Sequence, residues 1–290
     1  MSENDTAHRR RIEGALARVH GGQASFVGFE VLQGGISGAY TYRLHLADKD
    51  AVLKVVLPGA DSQVLARGQR EIAFYRDLTP RIPLRVPHVL GLHADAASVA
   101  LLLAAYRPAP QASEWAEQDY LTVAEQLARL HAIYWNATES LSGLTWLHRP
   151  AECMSAESVR QASTCWRALA AEPRFAGVFS AQDGRWIGEM LSRVDALDAV
   201  IQCLPMTLCH GDCHAGNLVR DRDDRWAWAD WQEVGIGCGP EDLSFFFQRA
   251  RAAGGTVPED AAIAVYHERL MSDTGHSVPL AAMRQVIAAS

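Results

Sequence analysis

The chain has 290 residues, 49% hydrophobic and 21% charged, with a formal net charge of −7. That is ample apolar material for one large domain or two lobes, and it excludes a disordered chain. The acidic balance, with no basic patch, excludes nucleic acid as a partner, and no apolar run approaches the roughly 18–20 residues that cross a bilayer.

The N-terminus, "MSENDTAHRRRIEGALARVH", reads as an amphipathic helix with solvated arginines. It has no apolar core of the kind a secretory signal needs. A cytoplasmic location follows as the expectation. The six cysteines, at 153, 165, 203, 209, 213 and 238, are then expected to be reduced.

"FEVLQ" reads as a first strand. "AYTYRLHLA" alternates, with Tyr40, Tyr42, Leu44 and Leu46 on one face and Thr41, Arg43 and His45 on the other, the period of a half-buried strand. Between them the glycines of "GGISG" (34–38) allow a tight turn that exposes backbone. "AVLKVVL" (51–57) is the next strand, and Lys54 alternates onto the same face as Val52 and Val56. A charge on an apolar strand face needs a partner or a ligand; an ordinary snorkelling lysine is the alternative.

"DSQVLARGQREIAFYRDL" (61–78) reads as a helix with Asp61 or Ser62 as N-cap and an apolar stripe of Val64, Leu65, Ile72, Tyr75 and Leu78. Pro80, Pro83 and Pro87 end it. "HVLGLHA" and "SVALLLAAY" form a hairpin, and "RPAP" reads as a hinge. From about residue 112 the pattern turns helical. Tyr120, Ala124, Leu127, His131 and Tyr134 fall near helical spacing, and His131 reads as a hydrogen-bonded core histidine. A second helical stretch covers roughly 155–200. The order of a strand-rich half and a helix-rich half points to an α+β chain in two lobes, 1–105 and 106–290.

The densest chemistry lies in "LCHGDCHAGNLVRDRDDRWAWADWQ" (208–232). Cys209, His210, Cys213 and His214 invite a metal reading. Haem attachment needs C-x-x-C-H, whereas the spacing here is C-x-x-x-C-H. Structural zinc needs a second ligand pair that Cys203 and Cys238 do not make. The oxygen ligands fit better. Asp212, Asn217 and, at the end of the short strand "RWAWAD", Asp230 can surround one cleft. Oxygen donors suit Mg²⁺. The spacing H-x-D-x-x-x-x-N followed by a metal-binding Asp is that of a kinase catalytic loop.

"HGDCHAGNL" followed by "WADWQEVGIGCGPEDLSFF" resembles the aminoglycoside phosphotransferase and choline kinase family, as does "LARLH". "REIAFYRDL" and "DWQ…EDLSFF" lean towards its choline-kinase-like and ecdysteroid-kinase-like members. The resemblance runs from about residue 30 to 250. It implies a protein-kinase-like bilobal α+β fold, with a small β-rich N-lobe (1–105) that binds nucleotide and a larger, mostly helical C-lobe (106–290) for catalysis and acceptor binding. It implies ATP and Mg²⁺ as cofactors and transfer of the γ-phosphoryl group to a hydroxyl of a small molecule.

Position by position, Asp212 matches the catalytic base, and Asn217 and Asp230 match the Mg²⁺ ligands. His210 opens and shapes the catalytic loop, and Asp242 has a supporting role. Lys54 would grip the α- and β-phosphates and pair with Glu71. Gly35, Ser37 and the amides of their turn would cover the phosphates, and adenine would use backbone groups near Leu103 to Ala105.

The acceptor is less defined. Glu114, Glu117, Asp119, Glu259, Asp260 and Glu268 suit a cationic acceptor, or are simply solvated helix faces. Tyr134, Trp135, Trp166 and Trp231 line a pocket or pack the core. Cys213 and His214 frame the catalytic loop or touch the acceptor. The tail after Asp242 is short for this family, which leaves the acceptor pocket open or completed by the partner subunit of a homodimer. The rival functions are a non-catalytic kinase-fold nucleotide-binding regulator and a metal or haem protein built on the Cys/His cluster.

Overall fold

Strand alternation and one long helix build the first core. The computed structural model describes residues 3–21, 25–32, 38–149, 156–175 and 177–290; Gly35 and Ser37 lie outside them. The chain packs into two units. The first comprises Met1–Ala116, His210–Val234 and Arg249–Thr256, and the second Glu117–Cys209, Gly235–Gln248 and Val257–Ser290.

In the first unit, helix α1 (Glu3–His20) precedes β1 (Gly28–Val31), β2 (Tyr40–His45) and β3 (Asp50–Val56). Helix α2 (Ser62–Asp77) leads to the hairpin β4 (Val89–Ala94) and β5 (Val99–Ala104). The five strands form an antiparallel sheet in the order β1-β2-β3-β5-β4. One face carries Tyr42, Leu44, Ala51, Leu53, Val55, Ala100 and Leu102, all closed over by Ile12, Ala15 and Leu16 of α1. The solvated arginines of α1 are thus one side of a helix whose other side caps the sheet. Arg9 and Arg11 lie over the rings of Phe26 and Tyr40, 4.6 and 4.5 Å from their centroids.

The opposite sheet face carries Lys54, Val56, Val99 and Leu101, and α2 covers it. Asp61 caps α2, accepting a bond from the Gln63 N–H at 2.8 Å. Glu71, Ile72, Ala73, Phe74 and Tyr75 are buried on α2, a wider stripe than the spacing predicts. "RPAP" supplies a two-residue strand, β6 (Arg107–Pro108), which pairs with β8 (Leu218–Arg220), itself paired with β9 (Trp226–Trp228).

In the second unit, α3 (Glu117–Ile133) packs along α8 (Glu259–Thr274). Between them in sequence come α4 (Ala156–Ala171), α5 (Ala181–Ser192) and α6 (Val194–Ile201), the two strands β7 (Met206–Cys209) and β10 (Gly235–Cys238), and α7 (Gly239–Ala252); α9 (Leu280–Ala289) ends the chain. β7 and β10 pair antiparallel.

His131 is fully buried and is the hydrogen-bonded core histidine that its spacing predicts. Its Nδ1 lies 2.7 Å from the Tyr266 hydroxyl and its Nε2 3.2 Å from Asp242 Oδ2. A donor Nε2–H facing the carboxylate leaves Nδ1 to accept from Tyr266. A Cβ at Gly239 would sit 2.6 Å from His131 Nδ1 and 2.7 Å from the Tyr266 oxygen, so only glycine lets the start of α7 approach this pair. Among the described residues no helix is long and apolar enough to cross a membrane.

Leu53 lies at the centre of the α1-covered face and is fully buried. Leu53→Ala is expected to lower the unfolding free energy by about 2–5 kcal/mol, measured by chemical denaturation. A change within experimental error would mean that this face is not the core.

Candidate active site

The first unit brings together most of the polar residues singled out from the sequence. Strand alternation turns Lys54 toward α2, and helical phase turns Glu71 back toward the sheet. Lys54 Nζ lies 2.8 and 3.0 Å from the two Glu71 oxygens and 2.9 Å from Asp230 Oδ1. An ammonium has three N–H donors, so these three bonds commit all of them. The Glu71 side chain is only 4% exposed, against 19% for Lys54 and 30% for Asp230.

Asp230 follows β9 with φ 62° and ψ 60°, the left-handed region. Aspartate tolerates that region better than most residues do. The next residue, Trp231, is fully buried and stacks on Phe74 of α2, with centroids 4.0 Å apart and planes 9° apart. Its Nε1–H donates to the Trp228 carbonyl at 3.0 Å. Trp231 is therefore core packing, as are Tyr134 and Trp135, which are buried. Trp166 meets Phe179 edge-on at 5.0 Å.

The loop at 210–217 is shaped by its histidines. His210 Nε2 donates to the Ala229 carbonyl at 3.1 Å, and its Nδ1 accepts the Asp212 N–H at 3.3 Å. Both ring nitrogens are spent on backbone. His214 Nδ1 accepts from the Gly216 N–H at 3.1 Å. That leaves Nε2 as the protonated nitrogen of the neutral ring, 3.7 Å from Asp212 Oδ1. Asn217 Nδ2 donates to the Asp212 carbonyl at 2.9 Å and to its Oδ2 at 3.1 Å, which makes the Asn217 side-chain oxygen the ligand atom it can offer. The Ala229 N–H bonds the Asn217 carbonyl at 2.9 Å. Asn217 and Asp230 therefore sit at adjoining ends of the β8–β9 hairpin, which pairs Leu218 with Trp228. Gly211, at φ 82°, comes so close to Glu233 that a Cβ would lie 2.2 Å from its carbonyl oxygen.

A cavity of about 50 Å³ opens beside Lys54, lined by Thr41, Val56, Gly68, Glu71, Leu101 and Asp230 among others. Leu103 is buried on β5, opposite Val52 and Val89. The backbone N–H groups of Ala104 and Ala105 bond the carbonyls of His88 and Asp50 at 2.8 and 3.1 Å.

Electrostatics follow from this geometry. Burial alone would push the Lys54 ammonium down, but the charges of Glu71 and Asp230 and their hydrogen bonds outweigh it and hold it above the ordinary lysine range. Burial likewise pushes the Asp212 carboxyl up. The His214 ring, the Asn217 amide and His210 outweigh that and hold it below the ordinary aspartate value. Burial pushes Glu71 up against the pull of Lys54.

The donor set of Asn217 and Asp230 is oxygen only, which fits a hard divalent cation such as Mg²⁺. Of the Cys/His cluster, Cys209 and Cys213 are buried free thiols. Burial raises the Cys209 thiol well above its usual range. Among the described residues, Cys209, His131 and Asp242 do lie within 4.8 Å of one another, but the ring nitrogens of His131 are already bonded to Tyr266 and Asp242.

Sequence reasoning missed Arg67, Arg70 and Glu233. Arg67 Nε lies 2.5 Å from Glu233 Oε1, and Arg70 Nη1 donates to the Gln232 carbonyl at 2.6 Å. The only signal was charge on adjoining segments. Of the acidic residues considered for a cationic acceptor, Asp260 pairs with Arg284 at 2.7 Å and Glu114 caps Gln111 N at 3.1 Å.

Lys54→Met would strand two carboxylates, one of them deeply buried. The expected cost is about 3–5 kcal/mol at neutral pH. Without the cation, the folded-state pKa of Glu71 rises further above its unfolded value of about 4.3. A raised folded pKa gives stability that is present at low pH and lost as pH rises through it. The penalty should therefore be smaller at pH 5 than at pH 8 in denaturation experiments. A pH-independent penalty would contradict the ion-pair account.

No curated protein matches the sequence. Several solved structures are similar. APH(3'')-Id from Streptomyces rimosus, in complex with ADP and streptomycin, is 17% identical, with a TM-score of 0.60 over 99% of this chain and 98% of that one. The GDP and kanamycin complex of APH(2")-IIIa is 12% identical, with a TM-score of 0.64 over 98% and 87%. Macrolide 2'-phosphotransferase MphH from Brachybacterium faecium is 18% identical, with a TM-score of 0.59 over 96% and 87%. At such identities these likenesses establish the fold: α+β and protein-kinase-like, with a small β-rich N-terminal lobe and a mostly helical C-terminal lobe. The description of the Phosphotransferase enzyme family matches residues 28–276, and by that match the chain belongs to the phosphotransferase enzyme family.

Proposed function

We propose that the protein is an ATP-dependent small-molecule kinase that moves the γ-phosphoryl group to an acceptor hydroxyl. The observation that carries this is the Lys54 ammonium shared between Glu71 and Asp230, in the same unit as the Asp212–Asn217 loop. Lys54, whose three donors are taken by Glu71 and Asp230 in the nucleotide-free chain, would exchange its Asp230 bond for the α- and β-phosphates, with Glu71 fixing its position. Gly35, Ser37 and their turn would cover the phosphates. Adenine would lie against the segment from Leu103 to Ala105; because the Ala104 and Ala105 N–H groups are engaged, it would use other backbone groups there. Along the chain, residues 1–105 would bind the nucleotide and 106–290 would supply catalysis and the acceptor site, the segment His210–Val234 of the latter packing within the first unit.

Asn217 and Asp230 would hold Mg²⁺, which when bound neutralises charge on the phosphates. Asp212 would face the acceptor hydroxyl. Held below the usual aspartate range, it is a weak base. It would orient the hydroxyl and take its proton late, which suits a loose phosphoryl-transfer transition state. Most of the rate would come from positioning.

The similar structures support a choice of acceptor class: streptomycin is bound in one and kanamycin in another, with a macrolide enzyme beside them. A hydroxylated small molecule of that kind is the first candidate. The "REIAFYRDL" and "DWQ…EDLSFF" segments add choline-like and steroid-like acceptors. A cytoplasmic location fits ATP as co-substrate.

In a coupled ADP-release assay with Mg²⁺ATP, one or more of aminoglycosides, macrolides, choline and hydroxysteroids should stimulate release. Asp212→Ala should lower kcat by about 10²–10⁴-fold with nucleotide affinity retained. Asp230→Ala should impair Mg²⁺-dependent nucleotide binding. Turnover near wild type in either variant would sink the assignment.

A further inference from the structure

Glu233 lies three residues beyond Asp230 in the same turn and touches two other parts of the site. From α2, Arg67 Nε lies 2.5 Å from its Oε1 and Arg70 Nη1 lies 3.4 Å from its Oε2. Arg70 also donates to the neighbouring Gln232 carbonyl at 2.6 Å. Two of these charges are sheltered, the Arg70 side chain being 11% exposed and that of Glu233 20%, while Arg67 is 39% exposed. On its other side, the Glu233 carbonyl is the surface against which Gly211 packs, next to Asp212. One residue thus meets the helix that carries Glu71 and the loop that carries Asp212.

Asp230 needs such support. A non-glycine residue stays in left-handed conformation only where its surroundings over-determine it. Upstream, β9 and the bond from the Ala229 N–H to the Asn217 carbonyl fix the turn. Downstream, the Trp231 stack on Phe74, the Arg70 bond to the Gln232 carbonyl and the arginine grip on Glu233 restrain it. The stack is apolar and fixes depth. The grip is a pair of directed, charge-assisted bonds and fixes orientation.

We propose that Glu233, anchored by Arg67 and Arg70, is a positioning residue that sets the aim of the Asp230 carboxylate toward the metal and ties it to α2 and the catalytic loop. It touches no reacting atom itself. The proposal rests on the reading of Asp230 as a Mg²⁺ ligand.

The test is calorimetric titration of the full chain with a non-hydrolysable ATP analogue, with and without Mg²⁺. Glu233→Gln should reduce the Mg²⁺-dependent gain in affinity by about tenfold, the usual size of an outer-sphere effect on metal binding. Affinity without metal should be unchanged. Arg70→Met should show the same loss, and the double variant no more than either single one. Should Glu233→Gln fail to fold, Arg67→Gln, at a more exposed position, reads the same quantity. An undiminished Mg²⁺-dependent gain overturns the proposal, and so does an equal loss with and without metal, which is general damage. If the wild type gains no affinity from Mg²⁺, the metal-ligand reading fails and takes the proposal with it. Wild type and variant therefore report the two failures separately.

Discussion

A half-buried ammonium with no spare donor constrains everything around it. Lys54 has three N–H groups and three carboxylate oxygens within 3.0 Å. One side chain therefore fixes a strand, a helix and a turn far along the chain. Moving any of the three leaves charge desolvated and unpaired, which costs more than the intact arrangement contributes to stability. The arrangement is better understood as a specificity device. It ties β3, α2 and the Asp230 turn together through directed bonds that an apolar substitute would not make.

The remaining polar groups of this unit extend the same logic to backbone. His210 is spent on two main-chain bonds, to Ala229 and Asp212. Asn217 holds Asp212 from its side chain and Ala229 from its carbonyl. Ala229 is the meeting point, and Asp230 is the next residue. The catalytic-loop candidates and the Lys54 cluster are thus joined by hydrogen bonds, in turns anchored at the ends of β7, β8 and β9. Preorganisation of this kind matters most where charge moves, because dipoles already in place need no rearrangement.

Much of this was legible in the sequence, and the physical reasons differ by residue. Lys54 stood out because strand period puts a charge among Val52 and Val56. Asp212, Asn217 and Asp230 stood out because their spacing is chemical rather than structural. His131 was legible as core because it interrupts an apolar helix stripe, though its partners Tyr266 and Asp242 were not. The arginine grip on Glu233 was invisible: Arg70 and Gln232 are 162 residues apart, and charged helix residues are ordinarily solvated. Phe74 fell outside the predicted stripe because α2 is covered on two sides, by the sheet and by Trp231. "RPAP" carries the local signature of a loop, yet pairing with β8 makes a short strand of it; long-range pairing overrides local preference.

The helical unit repeats the principle around an imidazole. His131 joins α3 to Asp242 of α7 and Tyr266 of α8 through both ring nitrogens, and Thr207 bonds its carbonyl. Gly239 is the steric condition for that contact. Both units therefore hold a polar side chain whose ring nitrogens or N–H donors are fully engaged. The helices α4, α5 and α6 carry no such constraint. None of the described residues in α5 and α6 is fully buried, and Trp186 is 61% exposed. Directed polar bonds cluster at Lys54, Asp212 and Asp230, whereas the described residues of α5 and α6 lie at or near the surface. A phosphate grip that must stay constant and an acceptor that varies between relatives would require that distribution.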